Sequence, residues 1–272
     1  MNFIEPTVRE IVQEPGLAGM MKHIDLCAGI CYNRESAHRT LDEQNSFVQK
    51  LIKLDHGRAL EFGTVYLHFT QEDDAVPDMF LSEYNTIRCA EVEKVMHYYV
   101  TTNYRYILDY KLDWVLPFYM CEPTQFHKLR KTVLFHINRS VADEFRTHVT
   151  LSSLMLSTRY AKYNDFDVVK PHWFDQATRD QQDNYRAALL TAQSYYNVLI
   201  DSGMSRQDAR GILPMDAATK LIMCGFVDCD SIGWKRFINM RNTDAAQPDA
   251  RRVAQMVQQL LNINKDDEAD NN

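Results

Sequence analysis

The chain has 272 residues, 45% apolar, 25% charged and 11% aromatic, with 9 Gly and 8 Pro, which excludes a disordered, collagen-like or low-complexity protein and provides for a sizeable core. Lys and Arg number 30 against 37 Asp and Glu, a formal net charge of −7, and this argues against a nucleic-acid polymer as partner of a generally basic surface. No apolar run approaches the roughly 18–20 residues of a membrane helix, and the first residues lack the basic, apolar and small succession of a secretory leader, so a cytoplasmic protein without a membrane partner is expected.

In chain order, residues 19–33 and 38–55 carry apolar positions at helical spacing: Ile24, Cys27 and Cys31, then Leu41, Phe47, Leu51 and Leu54. They predict two helices joined by a polar turn at 33–36. Residues 63–69 and 98–108, alternating or rich in β-branched and aromatic side chains, predict strands, with an acidic turn at 71–77 between them. A third strand at 132–137 runs into Asn138, a helix N-cap residue. The helix predicted from 141 to about 156 places Val141, Phe145, His148, Val149, Ser152, Met155 and Leu156 on one stripe. Further helices are predicted at 181–202, 205–211, 214–224, 231–241 and 247–262, and an acidic disordered tail at 264–272. With no internal repeat and no linker, the pattern is one α+β domain over residues 1–263.

The six cysteines are too sparse for a disulfide scaffold and form no C-x-x-C pair. His23, Cys27 and Cys31 share a helix face, but burial as small apolar side chains accounts for the cysteines better than a metal site, and no metal is expected. Walker, Rossmann, H-E-x-x-H and G-x-S-x-G patterns are absent, which removes the commonest phosphate-loop, dinucleotide, zincin and hydrolase readings. What remains are arginines in structured segments, Arg159, Arg210 and Arg241, whose planar guanidinium suits phosphate or a pyrimidine carbonyl edge. A single arginine more often pairs with a neighbouring carboxylate, so these observations lead no further than an α+β protein with an anion site.

Five short strings, in order, carry more. The run EFRTHVTLSSLMLSTRY at 144–160, QDARGILP at 207–214, WKRFINMR at 234–241 followed by AQPDAR at 246–251, LDHG at 54–57 with Glu61, and Cys31-Tyr32 together resemble the flavin-dependent thymidylate synthases, the ThyX family. The resemblance extends from about residue 20 to about 260. It implies a mostly antiparallel sheet flanked by helices and a homotetramer with active sites built across subunits. It further implies FAD as cofactor, NADPH and methylenetetrahydrofolate as co-substrates, and dUMP or a related pyrimidine nucleotide as substrate.

By the same resemblance Glu144, Ser157, Arg159, Arg210 and Arg241 contact the nucleotide, Arg241 and Ser157 stand nearest the chemistry, and His56, His148, Ser152 and Arg236 face the flavin. The chain departs from the family's R-H-R-x7-S signature. Thr147 and Val149 occupy the two arginine positions, and Leu154 and Met155 stand where the family often has Asn and Glu. Two lost charge-assisted contacts weaken binding by roughly 3–6 kcal/mol unless replaced. Arg146 is one residue out of step, about 100° around the predicted helix, while Arg34, Arg39, Arg58 and Arg105 lie in segments resembling the cofactor side. The expected activity is reductive C5 methylation of dUMP. The alternatives are a related pyrimidine-nucleotide C5 methylase or hydroxymethylase, and a non-catalytic nucleotide-binding paralogue without flavin.

Overall fold

The computed structural model describes residues 1–34, 39–73, 76–229 and 232–264. Nine strands occur among them: β1 (Phe3–Ile4), β2 (Thr7–Ile11), β3 (Thr64–Thr70), β4 (Thr86–Val92), β5 (Val95–Asn103), β6 (Arg130–Asn138), β7 (Ser152–Met155), β8 (Val168–Val169) and β9 (Ala218–Phe226). The helices are α1 (Gly16–Gly29), α2 (Leu41–Lys53), α3 (Gly57–Leu60), α4 (Tyr104–Asp109), α5 (Leu116–Tyr119), α6 (Arg139–Phe145), α7 (Arg179–Asp201), α8 (Arg206–Ala209), α9 (Trp234–Arg241) and α10 (Pro248–Leu261). No helix among the described residues is long and apolar enough to cross a membrane.

One antiparallel sheet has the order β2-β6-β9-β7, a second β3-β5-β4, and β1 pairs β8 in parallel over two residues. The alternation of β6 explains the layering. Val133, Phe135 and Ile137 face Phe145, Trp234, Phe237, Val253 and Val257 of α6, α9 and α10, whereas Leu134 faces Ile11, Cys27, Ile30, Phe62 and Ile222 on the α1 side. The expected mixed fold with antiparallel sheets between helices is therefore present.

The signature run differs from its expected form. Instead of one helix to about residue 156, α6 stops at Phe145, residues 146–151 turn, and β7 pairs antiparallel with β9 from Ser152 opposite Cys224 to Met155 opposite Leu221. Three β-branched residues in the four positions from Thr147 to Thr150 disfavour a helix. The Thr147 hydroxyl also donates to the Glu144 carbonyl at 2.7 Å, competing with the helical ladder. Asn138 is the cap it was expected to be, accepting from the Val141 N–H at 2.9 Å.

Residues 218–226 form a strand where a helix was expected at 214–224. β9 lies between β6 and β7, apolar on both faces, and a continuous apolar run carries no period that separates buried strand from buried helix. The strand expected to reach 108 ends at Asn103, whose side chain accepts from the Tyr106 N–H and caps α4. β2 and β4 were not expected. The turns expected at 33–36 and 71–77, the beginnings of the helices expected at 38–55 and 231–241, and the tail beyond residue 264 lie wholly or partly outside the described residues.

The corrected chain path is testable in solution. Phe145 is fully buried, edge-on to Phe237 at 4.7 Å, so Phe145→Ala is expected to cost about 3–5 kcal/mol. Val149, on the expected stripe but 81% exposed, should change stability by less than about 0.5 kcal/mol as Val149→Ala. Urea unfolding of both variants checks this; equal losses would contradict the turn.

Candidate active site

The expected site residues gather in two groups, one at each end of β7, whose three residue steps separate them by about 10 Å of strand. At the N-terminal end, Arg241 closes α9 onto the end of α6. Its Nε donates to His148 Nε2 at 2.7 Å, Nη1 to the Glu144 carboxylate, and Nη2 to the Glu144 carbonyl at 3.3 Å and Thr147 Oγ1 at 3.2 Å. Four of the five guanidinium N–H groups are thus used, and the side chain is 18% exposed. Thr147, at a lost arginine position, helps to hold Arg241.

His148 is buried with its ring edge-on to Phe237. Accepting from Arg241 places its proton on Nδ1. Burial first, then the charges of Arg241 and Arg236, push its pKa down to about 4. The imidazole is therefore neutral near pH 7, and its Nε2 is committed to the protein rather than offered to a ligand. Arg236 itself is exposed on α9.

Beside this group, Glu61 gathers three donors: Ser152 Oγ at 2.6 Å, Arg105 Nη1 at 2.6 Å and Arg58 Nη1 at 2.9 Å. Burial raises the carboxyl's pKa, but the hydrogen bonds from Ser152 and Arg105 and the Arg58 charge outweigh it and hold the group below its ordinary value. Ser152 is thus spent on Glu61. Gly57 has a packing reason, since a Cβ there would meet the Arg105 guanidinium at 2.8 Å. His56, just before it, is exposed. Arg146 pairs with Asp143 at 3.2 Å, and its charge reaches the Cys31 thiol. Because α6 ends before it, the expected 100° displacement of Arg146 does not apply.

Leu154 and Met155 pack into apolar clusters and offer no donor. Arg58 and Arg105 converge on Glu61, His56 and Arg236 are exposed, and Arg146 pairs with Asp143; guanidinium groups of this kind suit the anionic part of a dinucleotide.

At the C-terminal end of β7 the Ser157 N–H donates to the Cys31 carbonyl at 3.0 Å. Ser157 Oγ accepts from the Arg159 N–H at 3.2 Å, and Arg159 Nε donates to Gln207 Oε1 at 2.8 Å. Gln207 lies one turn before Arg210, which is exposed, so Ser157 and Arg159 are tied to the segment that carries Arg210. Sequence reasoning left out three neighbours: Tyr32 and Tyr160, stacked at 5.4 Å, and Lys220, which donates to Asn33 Oδ1 at 3.1 Å. The signal for Lys220 was a lone cation in an apolar run, masked by reading that run as a helix.

A family model described as Thymidylate synthase complementing protein matches residues 123–263, more than half of the chain. A flavin-dependent thymidylate synthase of Mycobacterium avium is 30% identical over 132 residues, 43% of this chain and 51% of that protein. Those of Mycobacterium tuberculosis and Mycolicibacterium gilvum are 27% identical over 132 residues and 29% over 133, each with 43% of this chain and 51% of the relative covered. The matched part of the chain thus spans about half the length of these relatives. It contains Glu144, His148, Ser152, Ser157, Arg159, Arg210, Arg236 and Arg241, whereas His56 and Glu61 lie outside the family match.

The depressed His148 pKa has a measurable consequence. Below pH 6.5 the unfolded chain binds a proton that the folded imidazole refuses until about pH 4. This contribution is fully present above 6.5 and is lost as pH falls through that window, on the order of 3 kcal/mol in all. His23, buried and likewise depressed to about 4, acts in the same direction. His148→Gln retains an acceptor for Arg241, so it should lower the slope of urea stability against pH between 6.5 and 4 by about one proton's worth; an unchanged slope would refute the assignment.

Proposed function

The chain belongs to the thymidylate synthase complementing protein family, and from that premise we propose that it is a flavin-dependent thymidylate synthase that methylates dUMP at C5. Residues 1–263 act as one unit in this reading, since loop 54–61 and the matched segment both supply side chains. The observation that carries it is the survival of Ser157 and Arg159 as a connected pair tied through Gln207 to the segment that bears Arg210, together with a fixed and largely buried Arg241.

His56 and Arg236 would hold FAD with Arg58, Arg105 and Arg146, while His148 and Ser152 shape the site through Arg241 and Glu61. When bound, FAD supplies the hydride, replenished from NADPH, that completes a methyl group from the methylene carbon of methylenetetrahydrofolate. Every other task falls to the chain. Arg159 and Arg210 neutralise the phosphate, and Ser157 orients the nucleotide without acting as a nucleophile.

Arg241 faces the pyrimidine carbonyl. Glu144, Thr147 and neutral His148 fix its guanidinium, so the remaining N–H and the full positive charge can stabilise enolate character as C5 becomes nucleophilic. Little reorganisation is then required at the moment of reaction. Because the Arg241 and Ser157 groups stand at opposite ends of β7 in one chain, a complete site takes one group from each of two copies in a homotetramer.

Purified protein should show flavin absorbance after incubation with FAD and form dTMP from dUMP, methylenetetrahydrofolate and NADPH. Arg241→Ala should lower kcat by roughly 10²–10³ without loss of fold. Equal mixtures of inactive Arg159→Ala and Arg241→Ala subunits should recover about a quarter of the sites if each site draws on two copies. A colourless protein that takes up no FAD, or flavin binding without dTMP, overturns the synthase reading. The first result would favour a nucleotide-binding protein without flavin, which Leu154 and Met155 in the core already suit.

A further inference from the structure

Away from both groups, buried polar atoms meet where α6, β9 and α7 come together. The Arg139 N–H donates to the Ala217 carbonyl at 3.2 Å, which sets the first residue of α6 beside the start of β9. Ala217 packs in one apolar cluster with Tyr163 and Tyr196 of α7. Thr219, the second residue of β9, lies next to Tyr163, whose phenol also feels the charge of Arg139 and has Tyr196 within reach. Tyr163, Tyr196 and Thr219 are 5%, 0% and 1% exposed. Their three hydroxyl groups and Arg139 Nη1 are all buried, and none of the four makes a well-formed hydrogen bond among the described residues.

An unpaired buried polar group is costly, and several in one place call for a common partner. Hydrogen bonding alone would be met by water, which accepts two bonds and donates two. The charge would not. Asp143 lies 4.0 Å from Arg139 and 3.2 Å from Arg146, so one carboxylate answers two guanidinium groups and the set keeps about one positive charge. Other acids nearby are engaged: Asp216 accepts from Tyr185 at 2.5 Å and Asp167 from Asn2 at 2.9 Å. A monoanion balances the remaining charge, and one that carries no proton of its own accepts from the guanidinium and all three hydroxyls at once.

We propose that Arg139 Nη1 and the hydroxyl groups of Tyr163, Tyr196 and Thr219 hold a buried monoanion of the halide class. Thr219 adjoins Lys220, Tyr163 follows the turn of Ser157 and Arg159, and Arg139 opens the helix that carries Glu144. A halide at this junction ties together supports of both ends of β7, and it depends on no part of the synthase reading.

The test uses the full chain, with chloride and bromide as probes. At constant ionic strength, replacing sodium gluconate by sodium chloride should raise Tm along a saturating curve, by about 3–5 °C at tenfold excess over Kd. Arg139→Gln should abolish this dependence, whereas Tyr196→Phe and Thr219→Val, each removing one donor, should weaken chloride about fivefold or more. In crystals grown with bromide, an anomalous peak should lie in contact with Arg139 Nη1 and the three hydroxyls. Should a variant fail to fold, the titration of the unaltered protein and the bromide peak still decide. A Tm that follows ionic strength alone, or density among the four atoms without an anomalous signal, assigns the position to water and overturns the proposal. Chloride dependence that survives Arg139→Gln unchanged places the halide elsewhere and likewise overturns it.

Discussion

The pairing of β7 along β9 governs the arrangement of this molecule's charged side chains. β9 is buried on both faces and needs a partner on the side away from β6; Ser152–Met155 supplies it. That demand ends α6 early, turns the chain at 146–151 and lays a short strand with polar groups beyond each end. Cα atoms in a strand advance by about 3.3 Å per residue, so the Arg241 and Ser157 groups cannot meet within one chain as a helix stripe would suggest. The separation is a property of the sheet.

The two ends differ in electrostatic completeness. At the Arg241 end, Arg241, Arg58, Arg105 and Arg146 are each answered by a carboxylate: Glu144, Glu61 or Asp143. Arg241 is held most firmly of these, with four of its five N–H groups spent, and a guanidinium so fixed is well placed to orient a ligand. At the Ser157 end the cations are held by an amide, a carbonyl and aromatic faces. The partners supplied by the fold for Arg159, Arg206 and Lys220 among the described residues are neutral, which leaves their charge available to an anion.

Between these extremes stands His148. In the signature it resembles a cofactor ligand, yet in the fold it is a buried neutral acceptor that fixes Arg241. The replacement of a neighbouring arginine by Thr147 fits this arrangement, since a hydroxyl accepts from Arg241 where a second guanidinium would repel it. The residue change that weakens one expected contact thereby supports another.

Much was legible in the residues alone. Local chemistry determined the Asn138 cap, the strands near 64–70 and 130–138, and the helices at 179–201 and 248–261, because caps, alternation and helical periodicity act over a few residues. The ordered strings around Ser157, Arg210 and Arg241 likewise identified the family and its arginines. Only the tertiary structure decided that 152–155 and 218–226 are strands, since buried apolar runs carry no period, and that Asn103 caps a helix rather than continuing a strand. It alone decided which arginines meet a carboxylate and which do not. That depends on contacts between segments tens of residues apart, such as Arg241 with Glu144 and Lys220 with Asn33, and no local pattern encodes how two distant side chains will face each other.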